Sequence, residues 1–164
     1  MRSFEDQLIE MLPRLRAFAL SLTGVSDRAD DLVQETVLKA WRARERFEPG
    51  TNLQAWLFTI LRNAFYSGVK GSSRMVGDAD GRHTASLLAP PDQEWRLHYR
   101  EMLVALDALR PHHREALLLV VAAGMSYEDA ASVCSCPVNT MKSRVKRARD
   151  ALVLATGFNG ALAA

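Results

Sequence analysis

MSYEDAASVCSCPVNTMKSRVKRAR, residues 125–149, holds two helix patterns separated by a few turn-forming residues, and its second half decides the kind of fold. Projected at about 100° per residue, Val138, Met141, Val145, Ala148 and Leu152 fall on one stripe, while Asn139, Thr140, Ser143 and Arg147 point the opposite way. The apolar stripe must be covered by a neighbouring helix, which leaves the polar face outward. Lys142, Lys146 and Arg149 flank that face on one side and Arg144 on the other, so five cations and no acid stand between Pro137 and Arg149. Cations on both walls of a polar helix complement the phosphates that border a DNA major groove. Pro137 fits the first turn of that helix, where its missing N–H would be unpaired anyway, and it pushes Cys136 toward an extended backbone. A short helix, a pinned turn and a basic second helix make a helix-turn-helix pattern of the kind that reads DNA. The alternative is an amphipathic helix with a solvated basic face; acid-free clustering behind a proline turn favours DNA.

Working outward, Gly124 ends a helix over residues 112–123, and Pro111 stops an earlier one that runs from about Asp92 to Leu109. From Gly68 to Pro91 helical periodicity is lost in GVKGSSRMVGDADGRHTASLLAPP, whose Gly, Ser, Asp and Pro content reads as a flexible linker, drawn at residues 71–91. Further upstream, Leu8, Met11, Leu12, Leu15, Phe18, Ala19 and Leu22 keep helical spacing straight through Pro13, where a kink or restart is expected. Gly24 closes that helix and Ser26 or Asp27 caps the next, whose stripe is Ala29, Leu32, Val33, Val37, Ala40 and Trp41. Its outer face shows Asp30, Asp31, Gln34, Glu35, Leu38 and Lys39. A leucine among charges suits a partner surface, or a solvated face with one stray leucine. A third helix buries Leu53, Trp56, Leu57, Ile60, Leu61 and Ala64 and sets Thr59, Arg62, Asn63 and Tyr66 on another stripe. Ring, guanidinium and amide together suit unpaired bases, which stack, need a held backbone and present readable edges; Tyr and Arg also snorkel at the rim of any helical core. No alternating strand pattern appears, so the expected fold is all-α: a first lobe over 1–70, the linker, a second lobe over 92–155 and a tail, 156–164.

Composition narrows the function. A net charge of +2 over 164 residues does not describe a uniformly basic nucleic-acid binder, so the local distribution of charge matters more. The first 48 residues hold eight basic and nine acidic side chains, a mixture that suits a protein partner rather than bare phosphate. The longest apolar run, Ala116 to Ala123, is eight residues, far short of the about 20 that span a bilayer. The N-terminus MRSFEDQLIEML has acids where a secretory signal has its apolar core. No membrane association and a cytoplasmic location are therefore expected. Cys134 and Cys136 stand alone, with His83, His98, His112 and His113 scattered, so no metal or cofactor site is expected and the thiols read as small fillers near the turn.

With these residues laid out, the chain resembles the bacterial group IV sigma factors, the extracytoplasmic-function class. Three segments carry the resemblance in family order: DDLVQETVLKAWR (30–42), FEPGTNLQAWLFTILRNAFYS (47–67), and the stretch from Leu106 through LRPHHREALLL to VNTMKSRVKRAR, ending at Arg149. The wording of SYEDAASVCSCPVNTMKSRVKRAR is closest to the general-stress-response branch of alphaproteobacteria. The resemblance implies a first lobe that binds the clamp helices of the largest polymerase subunit through Asp31, Gln34, Glu35 and Lys39. It implies a pocket for a flipped minus-ten base at Phe47, Glu48, Pro49, Gly50, Thr51 and Asn52, with Arg62 and Asn63 on the adjoining helix and Trp56 as core beneath. It also implies that Asn139, Thr140, Ser143, Arg144 and Arg147 approach the minus-thirty-five groove, and that an anti-sigma factor holds the protein inactive. Two departures stand out. The family follows its third helix with a denser basic run, whereas Lys70 and Arg74 alone follow Tyr66 here, after Gly68. Asn139 replaces the family's common glycine, where an amide either reads adenine or caps the helix.

The expected function is that of a sigma factor: joining core RNA polymerase, directing promoter-specific initiation in a stress response, and performing no covalent chemistry on a small-molecule substrate. A sigma-like decoy that sequesters an anti-sigma factor has no need of five cations on a reading helix. An ordinary regulator using only the helix-turn-helix leaves the first lobe unexplained. No catalytic or phosphate-loop spacing supports an enzyme.

Overall fold

Each helix of the first lobe starts or stops where a backbone group finds a local partner. The computed structural model describes residues 3–72 and 93–157, and side chains within 3–69 and 97–157. Helix α1 (Phe4–Thr23) opens on a reciprocal cap in which the Ser3 hydroxyl accepts from the Asp6 N–H at 3.1 Å and the Asp6 carboxylate accepts from the Ser3 N–H. It ends at Gly24, whose φ of 70° lets its N–H reach the Leu20 carbonyl at 2.8 Å. Pro13 does not restart the helix, which is continuous from Phe4 to Thr23. The bond that Pro13 cannot make is to the Ile9 carbonyl, and Ile9 is 64% exposed, so water replaces it at little cost.

The two-residue connection folds α2 (Ser26–Arg42) back onto α1. Contrary to expectation, neither Ser26 nor Asp27 caps α2: Val25 occupies the cap position without a side-chain bond. The Ser26 hydroxyl instead accepts from Arg16 Nη2 at 3.0 Å, beside a 2.7 Å ion pair from Arg16 Nε to Asp30. Helix α3 (Leu53–Ser72) packs across both. It continues through Gly68 to Ser72, into the segment read as linker. A glycine costs only about 1 kcal/mol inside a helix, and fifteen preceding helical residues, 53–67, propagate through it. The core holds Leu15, Leu57, Phe58 and Leu61 fully buried, with Phe18 and Phe58 rings 5.1 Å apart. Each such side chain contributes about 1.5–3 kcal/mol. Thr36 is buried too, its hydroxyl donating to the Leu32 carbonyl at 2.7 Å. Trp41, expected in the core, is 41% exposed.

The second lobe contains α4 (Gln93–Ala108), α5 (Pro111–Leu117), α6 (Tyr127–Val133) and α7 (Val138–Thr156). Helix α5 widens over Leu118–Ala122 into a π turn, in which the Ala123 N–H reaches back five residues to Leu118. That turn buries Leu119 and leaves Val121 46% exposed. Helices α4, α5 and α6 all pack against α7, and Met141, Val145, Ala148 and Leu152 form its buried stripe. Asp107 of α4 and Arg114 of α5 pair at 3.1 Å. The chain divides into two units, 1–84 and 85–164, and no strand occurs among the described residues. The fold is all-α. Residues 73–92 and 158–164, which hold most of the expected linker, Arg74 and most of the tail, lie outside the described residues.

Candidate nucleic-acid interfaces

On α2, Asp31, Gln34, Glu35 and Lys39 are all exposed, as their spacing requires. Lys39 Nζ lies 2.6 Å from Glu35 Oε1; an exposed pair one turn apart adds only tenths of a kcal/mol and keeps the face charge-balanced. Leu38 is 55% exposed and Trp41, three residues on, lies on the same side of the helix. Arg44 sits 4.8 Å from the Trp41 ring centroid and donates to the Trp41 carbonyl at 2.9 Å. An apolar strip inside a charged border is therefore present. Sequence reading missed Trp41 as part of it, although its position after Leu38 was a usable signal.

The loop from Phe47 to Asn52 is pinned at both ends. Phe47 is half-buried, its ring 5.3 Å from Trp56 and 6.1 Å from Phe4. Trp56 is half-buried in this trio, close to its expected place beneath the loop. Pro49 and Gly50 form the middle of a turn, with Gly50 at φ 92° and the Thr51 N–H and hydroxyl both donating to the Glu48 carbonyl, at 3.1 and 2.7 Å. Asn52 closes the loop by accepting from the Ala55 N–H at 3.1 Å, which caps α3. Glu48, Pro49, Gly50, Thr51 and Asn52 stay exposed. The result is a hydrogen-bonded, solvent-facing rim.

About 15 Å further along the α3 axis, from the helical rise, the structure gathers the second group. Arg62 lies 4.7 Å from the Tyr66 ring centroid, Tyr66 meets Phe65 edge-on at 5.1 Å, and Asn63 is exposed beside them. The Thr59 hydroxyl is turned inward to the Ala55 carbonyl at 2.8 Å. A flat cation on a ring with an amide alongside can hold phosphate, stack a base and read an edge. Arg62, Asn63 and Tyr66 thus lie together near the middle of α3, and the loop stands at the start of the same helix.

In the second lobe, the turn before α7 is set by backbone geometry. Cys136 N–H reaches the Ala131 carbonyl at 3.0 Å and Ser135 N–H the Ser132 carbonyl at 3.1 Å, with Ser135 at φ 52°. These are the paired bonds of a Schellman ending, normally built on glycine. Ser126 caps α6 by accepting from Asp129 N–H at 3.0 Å. Pro137 caps α7 rather than entering its first turn, because its ψ of 147° is extended. Asn139, Lys142, Ser143, Lys146 and Arg147 are exposed, and Thr140 and Arg144 half-buried. Lys142 Nζ lies 5.8 Å from the Tyr127 ring centroid on α6, and Lys146 pairs with Asp150 at 2.8 Å. Arg149, expected on the flank, is half-buried with its Nε covered; it lies next to the apolar stripe in projection, so packing of α7 encloses it. On the other flank His113 of α5 is buried. Burial first, then the charges of His112, Arg110, Arg147 and Arg144, hold it below the ordinary imidazole pKa. Both cysteines are free, Cys134 buried and Cys136 half-buried, in line with packing roles.

Comparison with known proteins follows the same two-lobe division. Residues 8–75 match Sigma-70 region 2, and residues 99–152 match Sigma-70, region 4. The chain is 52% identical over 159 residues to the ECF RNA polymerase sigma factor EcfG of Rhodopseudomonas palustris, covering 97% of this chain and 88% of that one. It is 32% identical to the RNA polymerase sigma factor CarQ of Myxococcus xanthus, over 92% of this chain and 87% of the relative. Among solved structures it is similar to the sigma factor RpoE in complex with the anti-sigma factor NepR from Bartonella quintana, with a TM-score of 0.80, 46% identity and coverage of 96% and 98%. With both regions present in order and homology over nearly its full length, the chain belongs to the extracytoplasmic-function class of sigma-70 RNA polymerase sigma factors.

Proposed function

We propose that this chain joins core RNA polymerase through the α2 face of Asp31, Gln34, Glu35 and Lys39, with Leu38 and Trp41 as its apolar centre. The loop Phe47–Asn52 and the Arg62, Asn63, Tyr66 group then hold melted minus-ten bases at two stations along α3. Asn139, Thr140, Lys142, Ser143, Arg144, Lys146 and Arg147 meet the minus-thirty-five duplex. Flipping a base costs a few kcal/mol, offset by stacking and edge hydrogen bonds. The polymerase supplies the chemistry and this chain supplies recognition. Residues 1–70 and 92–155 act as the two functional lobes, and 71–91 as their connection. The likeness to RpoE bound to NepR supports control by an anti-sigma factor, and a role in a stress response is part of the same reading.

The observation that carries this reading is α7: its stripe is buried against three helices, while Asn139, Lys142, Ser143, Lys146 and Arg147 are exposed and Thr140, Arg144 and Arg149 half-buried. Run-off transcription with purified core polymerase on a promoter library tests the whole, with promoter-dependent transcripts expected. Failure to associate with core in the absence of any inhibitor overturns it. Asn63→Ala tests base capture. A lost edge contact of about 1–3 kcal/mol lowers open-complex formation about tenfold while duplex binding holds, and equal losses in both refute it.

A further inference from the structure

Asn139 lies in the first turn of α7, directly after Val138, with Pro137 in the cap position. An asparagine caps a helix from the position that Pro137 holds, where a side-chain oxygen reaches the free N–H groups of the first turn. No side-chain hydrogen bond caps α7, and among the described residues the Asn139 amide has no hydrogen-bond partner. It is exposed. Capping is therefore not its use, and a carbonyl and an NH2 group stand unspent at the leading end of the helix. The polar side chains nearby are committed differently. The Ser143 hydroxyl donates to the Thr140 carbonyl at 2.9 Å, Thr140 is half-buried, and Lys142 lies against the Tyr127 ring.

We propose that Asn139 is a specificity-determining residue that selects adenine at one position of the minus-thirty-five element. This rests on the reading of α7 as the helix that enters the major groove, and it assigns a base to one side chain of that helix. A carboxamide sets an acceptor and a donor side by side in one plane. In the major groove adenine alone places a donor, N6, beside an acceptor, N7, on a single base edge. Guanine offers two acceptors there, cytosine a donor, and thymine an acceptor with a methyl group. Two simultaneous hydrogen bonds are thus open to adenine only. The side chain is short, which suits the leading end of a reading helix, where residues come nearest the base edges. The family's common glycine could make neither bond, so the preference does not come with the fold.

The test uses holoenzyme and a promoter recovered by run-off transcription, as a duplex in which each base pair of the minus-thirty-five element is changed in turn to the other three. The parent protein is expected to show one position where A·T is bound about five- to hundredfold better than any alternative. Asn139→Ala should bind all four pairs there alike and keep every other preference. Replacing that adenine by 7-deazaadenine, which lacks the N7 acceptor, should weaken binding by the parent severalfold and leave Asn139→Ala unaffected. A merely structural role of the residue would not produce that difference. If Asn139→Ala keeps all base preferences, or loses affinity equally for every sequence, the selection of adenine is overturned, and a loss of affinity in Arg147→Ala then leaves the α7 reading standing. A preference for another base that Asn139→Ala removes also overturns it. If no base pair of the element affects binding by the parent and Arg147→Ala binds as the parent does, the α7 reading itself fails, and this inference with it.

Discussion

Ser135→Gly should stabilise the second lobe, because Ser135 occupies a backbone conformation that a side chain opposes. Its φ is 52°, and it stands at the position where the turn between α6 and α7 reverses the chain. For a residue bearing a Cβ, the left-handed region costs about 1–2 kcal/mol. Glycine removes that cost but gives back about 0.5–1 kcal/mol through its greater freedom in the unfolded chain. The net gain is about 0.5–1 kcal/mol, or about 2–8 °C in the melting temperature of a lobe this small. Ser135 is exposed, so truncation removes no buried packing, and the two turn bonds use only backbone groups. Ser135→Val, whose branched side chain tolerates this region least, should lose at least 1 kcal/mol. Hydrogen exchange of the α6 and α7 amides, with urea unfolding alongside, reads the effect lobe by lobe. The turn geometry is preserved in the glycine variant, so duplex affinity should stay at its starting value. A glycine variant less stable than the parent, or a valine variant equal to it, would refute the reasoning.

Phe47→Ala removes one ring from the Phe4, Phe47, Trp56 trio; the lobe should lose about 1–3 kcal/mol, less than a core phenylalanine because the ring is half-buried. Asn52→Ala should cost about 1 kcal/mol by uncapping α3; circular-dichroism melts compare the two, and an uncapping loss near zero contradicts the assigned bond. Acid should weaken the second lobe through His113, whose folded pKa lies below its unfolded value of about 6.5. Above about pH 6.5 neither state binds the proton. As pH falls below that, the unfolded chain takes it up first and stability drops, until folded His113 protonates as well. His113→Gln should flatten this part of the profile, and an unchanged profile would remove His113 as its cause.

Much of the fold is legible in residue order because helices are local. Apolar residues three and four apart marked α1, α2, α3 and α7, and Gly24 marked an end that the structure places at the same residue. The stripe Met141, Val145, Ala148, Leu152 is buried as projected. The helical candidates Asp31, Gln34, Glu35, Lys39, Asn63, Asn139, Ser143 and Arg147 are exposed on the faces that periodicity turned outward. The misses share a cause. Trp41 lies at the edge of its stripe, and only the width of the groove between packed helices decides whether an edge position is covered. Phe58 and Thr36, absent from the expected stripes, are buried because a third helix covers a broader arc than one neighbour does. The run Ala116–Ala123 contains no glycine or polar residue to mark where α5 widens.

Residue order alone therefore determined the helices, their polar and apolar faces, the pinned turn before α7 and the family to which the chain belongs, since each depends on spacing within a few residues. Tertiary packing decided which edge residues are covered, that Ser26 serves Arg16 instead of its own helix, that Phe47 is anchored on Phe4 and Trp56, and that His113 is buried with its pKa lowered. Coverage and electrostatic field at a point are sums over every element packed nearby, and chain spacing along one helix holds no information about its neighbours.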